Sequence, residues 1–195
     1  MKKQLFTVAF MLLGTAALIT SCKDDDKDTE TPTPTPTATL YERVGGTTMV
    51  ADPNNPSQMI EKGRLTLRAV VDSSIFVIAA DTQLQKYFPV LFAELGMNNT
   101  TGLAALSKSL TDFFCSATGS KNAAYAYTGR SMKDAHDPAK YNRMGLKANS
   151  ADFDKFVGDI GVGLAQNGVT SANNKALVDD LVALLYTTKA DIVQR

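Results

Sequence analysis

The chain has 195 residues, with 20 Lys+Arg against 20 Asp+Glu, one histidine and two cysteines. Balanced charge removes the electrostatic motive for nucleic-acid binding, and two cysteines cannot build a disulfide framework or a cysteine metal cage. The single imidazole, His136, excludes a His-pair zinc site, and any Ser-His-Asp triad would have to use that same ring.

Lys2-Lys3 followed by the apolar run Leu5 to Ile19 predicts a secretory export signal over residues 1–21, too short to span a bilayer comfortably. The end of that run, Ile19-Thr20-Ser21-Cys22, looks like a bacterial lipobox. The resemblance implies cleavage before Cys22 and an acylated thiol there, with each buried methylene contributing about 0.8 kcal/mol to membrane attachment. Lys23-Asp24-Asp25-Asp26 resembles the acidic export signal of Bacteroidota lipoproteins, which implies an outer-membrane location with exposure at the cell surface. The rest of residues 22–39 is acidic and then Thr-Pro repetitive, as in Thr31-Pro32-Thr33-Pro34. Such a composition cannot pack, and it favours an extended spacer of about 3.1 Å per residue.

Residues 40–195 are of a length for one domain with a real core, and their periodicity predicts helices. Leu65-Thr66-Leu67-Arg68-Ala69-Val70-Val71 continues into Ile75, Phe76 and Ile78 at helical spacing, and Asp81 stops the run. Phe76 to Ala80 is the one stretch that could pass for a buried strand, and it has no partner strand in the sequence. Asn98 to Gly102 offers caps before Leu103, Leu106, Leu110, Phe113 and Phe114, which share one helical stripe. Ser150-Ala151-Asp152 precedes Phe153, Phe156, Val157, Ile160 and Leu164, with Gly168 as terminator. A last amphipathic segment carries Leu177, Val178, Leu181, Leu184 and Leu185. The expected architecture is all-α, with about six helices by this periodicity and no internal repeat.

Three segments in order then carry a family resemblance. They are Leu40-Tyr41-Glu42-Arg43-Val44-Gly45-Gly46, Arg68-Ala69-Val70-Val71-Asp72, and Tyr127-Thr128-Gly129-Arg130-Ser131-Met132-Lys133-Asp134-Ala135-His136, and the start of the next long helix at Phe153-Asp154 also fits. Together they resemble the truncated haemoglobins of the first group, small globins whose helices form a two-over-two sandwich around haem. The resemblance covers residues 40–195, interrupted between Thr48 and Arg68 by an insertion containing Asp52-Pro53-Asn54-Asn55-Pro56.

The resemblance implies haem b, with His136 as the proximal iron ligand, since it ends the Met-x-x-Ala-His run; a neutral imidazole suits haem iron. It places Met132, one helical turn earlier, against the porphyrin. Arg130 and Lys133 become candidates to meet the propionates, Phe88 the aromatic packed on the ring, and Phe113 and Phe114 the apolar end of the distal helix. In that family a tyrosine of the second helix donates its hydroxyl to the gas ligand. Here the matching position holds Ile75, and the facing helix offers Leu106, Ser109 and Leu110. The ligand side is therefore expected to be apolar, with Lys108 or Met59 as alternative sixth ligands and Ser74 or Gln85 as the nearest other donors.

Two function classes follow. One is a surface-tethered haem globin that binds a diatomic gas (O2, NO or CO) for sensing, scavenging or redox work, with nitric oxide detoxification as the furthest enzymatic role. The other is a globin-like structural or interaction lipoprotein in which haem is weak or absent. No Gly-rich phosphate loop and no other catalytic cluster is legible.

Overall fold

Helix α1 (Leu40–Arg43) begins where Thr39 caps it: the Thr39 hydroxyl accepts from the Glu42 amide, and the Glu42 carboxylate accepts from the Thr39 amide. This reciprocal box satisfies two otherwise orphaned donors. The chain then turns through Gly45 and Gly46 with φ of 126° and 55°, a region costly for other residues. The Gly46 carbonyl accepts from the Gly63 amide at 3.0 Å, and a Cβ on Gly63 would lie 2.9 Å from the Tyr41 ring. The glycines therefore let α1 lie directly on the start of the next long helix.

The computed structural model describes residues 37–195, and Thr37–Arg195 form a compact unit of their own. The export signal, Cys22 and the tether up to residue 36 lie outside the described residues.

The insertion after Thr48 is an antiparallel hairpin, β1 (Met49–Asp52) and β2 (Asn55–Glu61), paired from Met49↔Glu61 to Asp52↔Asn55. The expected all-α class holds, and this two-stranded hairpin is the one sheet among the described residues. Asp52 closes the turn by accepting from the Asn54 amide, and it accepts two bonds from the Arg68 guanidinium at 3.0 and 2.6 Å, which ties the hairpin to the helix that follows.

That helix is α2 (Lys62–Ala80), which ends at Asp81 as its sequence predicts, and Phe76–Ala80 continue it as helix. There follow α3 (Pro89–Gly96), α4 (Thr101–Thr118), α5 (Met132–Ala135), α6 (Ser150–Gln166), α7 (Ser171–Tyr186) and α8 (Lys189–Ile192). The eight α-helices among the described residues exceed the expected number because α1, α5 and α8 are single turns. Proline opens α3 at its first turn, where its missing N–H costs nothing. Gly119, with φ of 104°, closes α4. Asn149 caps α6 with Asp152 as its reciprocal partner.

α2 packs across α6 and alongside α4, so α2 and α4 form one layer over α6 and α7. Val71, Ile75, Phe114, Phe153, Ile160 and Leu181 fill the space between the layers. The crossing of α2 and α6 is close, because a Cβ on Gly163 would fall 2.1 Å from the Ser74 Oγ. Asp152 and Cys115 are among the polar groups buried with this core. Asp152 accepts hydrogen bonds from Tyr87, from Gln83 at 3.1 Å and from Arg195 at 2.9 Å. Burial alone would raise its pKa, but those bonds outweigh it and hold the carboxyl well below the usual range. Cys115, fully buried, has its thiol pushed up to about 11 by burial despite the nearby Arg64. Among the described residues no helix is long and apolar enough to cross a membrane.

Candidate functional site

A cavity of about 340 Å³ lies between the layers and the irregular segment that links α4 to α6. Its size falls in the range of small-molecule sites. α4 supplies one wall through Leu103, Leu106, Ser109, Leu110, Phe113 and Phe114, which is the helical stripe read from sequence with Ser109 added. α2 contributes Ile75, Phe76, Ile78 and Ala79, and the α3 region contributes Phe88, Leu91, Phe92 and Leu95. The far side is made by Gly129, Arg130, Met132, Ala135 and His136, together with Tyr127, Tyr141 and Met144.

His136 stands at the C-cap of the single-turn helix α5, which Ser131 caps at its other end by accepting from the Asp134 amide. Its Nδ1 lies 2.7 Å from the Met132 carbonyl oxygen. A carbonyl can only accept, so Nδ1 carries the proton and Nε2 keeps its lone pair, on a ring that borders the cavity. Burial lowers the pKa of the imidazole, and the Met132 bond only partly offsets this, so the neutral form prevails at neutral pH. A neutral imidazole fixed in one tautomer by a backbone partner is the usual state of a metal-ligating histidine.

Arg130 is the one Lys or Arg side chain in the cavity lining. Its guanidinium stacks on the Tyr141 ring at 4.6 Å from the centroid, and its backbone carbonyl accepts from the Tyr127 hydroxyl at 2.8 Å. No carboxylate among the described residues pairs with it. Lys133, its expected companion, is exposed and does not line the cavity; its carbonyl accepts from the Gln194 amide group.

The side opposite His136 is apolar. Ile75 is buried there, Leu106 and Leu110 are half-buried, and Ser109 is exposed at the rim. Lys108 points away and pairs with Asp112 at 2.5 Å, and Met59 sits exposed on the hairpin. Ser74 donates to the Val70 carbonyl within α2, and Gln85 donates to the Ala79 carbonyl. None of these four lines the cavity.

The structure thus brings His136, Met132, Arg130, Phe88, Phe113, Phe114, Ile75, Leu106, Ser109 and Leu110 around one space and leaves Lys133 outside it. Tyr87, the neighbour of Phe88, turns instead to Asp152. Phe113 makes edge-to-face contacts with Phe114 and with Tyr127, at 5.7 and 5.8 Å between centroids. Sequence reasoning missed Tyr141 and Met144, which sit in a loop with no periodic signal. It also missed Phe156 and Leu185, which were legible as stripe residues of α6 and α7 but not as cavity residues.

Two solved structures share this fold, both ferric forms of the truncated haemoglobin from Tetrahymena pyriformis. One is a Tyr-to-Phe variant and the other a Gln-to-Glu variant. Each has a TM-score of 0.55 and 21% identity, and covers 81% of this chain and 100% of its own. The fold of this protein is therefore the truncated-globin fold. No protein-family model and no curated protein sequence matches the chain.

Proposed function

We propose that the protein is a haem-binding globin of the first truncated group, held at the outer membrane through an acylated Cys22, and that it binds a diatomic gas in an apolar pocket. The observation that carries this reading is His136, a neutral imidazole whose Nδ1 is committed to the Met132 carbonyl and whose ring borders a largely apolar cavity. The residues fit the group. Nε2 of His136 would hold the iron, Phe88, Met132 and Phe113 would offer apolar faces, and Arg130 would offer a cation with no carboxylate partner among the described residues. When bound, haem b would supply an iron able to bind a diatomic gas. The chain supplies the fixed ligand, the exclusion of water and the polarity of the pocket.

The test is haem titration of the purified protein. It should give a Soret band that His136→Ala abolishes and that added imidazole restores. An unchanged spectrum and affinity in His136→Ala would overturn the reading and leave a globin-like scaffold without this ligand. Anchoring is tested separately: Cys22→Ser should abolish fatty-acid labelling and release the protein from membranes.

A further inference from the structure

One corner of the domain is poor in charge. No charged residue occurs between Asp72 and Asp81, or between Glu94 and Lys108. These stretches form the second half of α2, the end of α3 and the start of α4. Within them Phe76 is 68% exposed and Met97 71% exposed. Ala80, Ala104 and Ala105 are also exposed. Phe76, Leu95 and Leu103 border the cavity as well, so the apolar surface continues inward from the corner. At its edges Glu94 accepts two bonds from Arg143 at 2.7 and 2.6 Å beside Gly102, and Asp72, one helical turn before Phe76, accepts from Ser107.

We propose that this corner, led by Phe76 and Met97, is seated in the lipid interface of the membrane to which the chain is tethered. Apolar side chains gain by leaving water for the acyl boundary, and the usual opposing cost, stripping water from charges, is confined here to groups already bonded within the protein, the Glu94–Arg143 pair and Asp72. The tether fits this placement. Thr39, where the tether joins the domain, lies beside Gly119 at the C-terminal end of α4, while the corner is at the N-terminal end of that helix. The 18 residues of α4 span about 27 Å, whereas an extended Thr-Pro-rich tether over residues 22–38 reaches about 50 Å. The corner can therefore lie on the same bilayer that holds the anchor, and tethering makes even a weak contact intramolecular.

The proposal rests on the anchoring reading, so its test uses an artificial tether. The chain has no tryptophan, which makes introduced ones unique reporters. Residues 22–195 carrying Phe76→Trp, Met97→Trp or, as control, Met59→Trp on the hairpin are held through an N-terminal His tag. The vesicles are phosphatidylethanolamine–phosphatidylglycerol with a nickel-chelating lipid. The emission of the first two should shift to shorter wavelength and be quenched by brominated acyl chains, while the control stays water-like. Identical emission with and without vesicles at positions 76 and 97 would overturn the proposal. So would a shift without vesicles that grows with protein concentration, since that would make a second copy the occupant. Because the tag replaces the acyl group, a negative result counts against the corner and leaves Cys22 to the labelling experiment.

Discussion

At the residue scale, the ligand-side apolarity and the buried Asp152 make the sharpest predictions. With Ile75, Leu106 and Leu110 on the α2 and α4 walls of the pocket and their one polar lining residue, Ser109, exposed at the rim, the proposed haem-loaded ferrous protein should release oxygen quickly. Ile75→Tyr should slow that release by about one to two orders of magnitude, since a charge-assisted hydrogen bond contributes roughly 1.5–3 kcal/mol; stopped-flow displacement by carbon monoxide measures it. Asp152 tests the core instead. Its folded pKa is depressed, so its contribution to stability is complete above the unfolded value of about 4 and is lost as pH falls through the lower folded value. Urea midpoints should therefore drop on acidification below about pH 4. Asp152→Asn, which weakens the bonds from Tyr87, Gln83 and Arg195, should cost about 2–3 kcal/mol at neutral pH and flatten that dependence. The resemblance pointed to His136 because its motif is contiguous in sequence. Asp152 entered the sequence reading only as a residue preceding the apolar stripe of α6, because its partners lie 43 to 69 positions away.

At the element scale, the long helices were legible and the hairpin was not. α2, α4, α6 and α7 advertise themselves through apolar residues every three or four positions, a signal set by the helix repeat itself. Met49–Glu61 has few β-branched residues and a ragged alternation, so only the Asp52-Pro53-Asn54-Asn55 turn marked it. Its pairing is made durable by a tertiary contact, Asp52 with Arg68. Asp52→Ala should therefore raise amide exchange in β1 and β2 while leaving α2 and α6 protected. The α2–α6 crossing makes a contrasting prediction. Gly163→Ala would drive a methyl into Ser74, and overpacking of this kind costs about 1–3 kcal/mol. For a domain of this size that is a fall in Tm of roughly 2–4 °C per kcal/mol, readable by calorimetry.

For the whole molecule, the two layers were recoverable from the helices, but the cavity they enclose was only partly so, because its far wall is a loop whose course depends on tertiary contacts such as Gly145 to Tyr87. A ligand that fills such a cavity stabilises the whole domain through mass action. Free haem at a hundred times its Kd should raise the unfolding free energy by about 2.7 kcal/mol, and His136→Ala should lose most of that gain. The burial of Cys115 offers an independent gauge of the same quantity. A thiol with no solvent exposure and a pKa pushed up to about 11 is closed to alkylating reagents while the layers are shut. In a Cys22→Ser background, the rate at which a maleimide reaches Cys115 therefore counts the openings of the folded core, one molecule at a time.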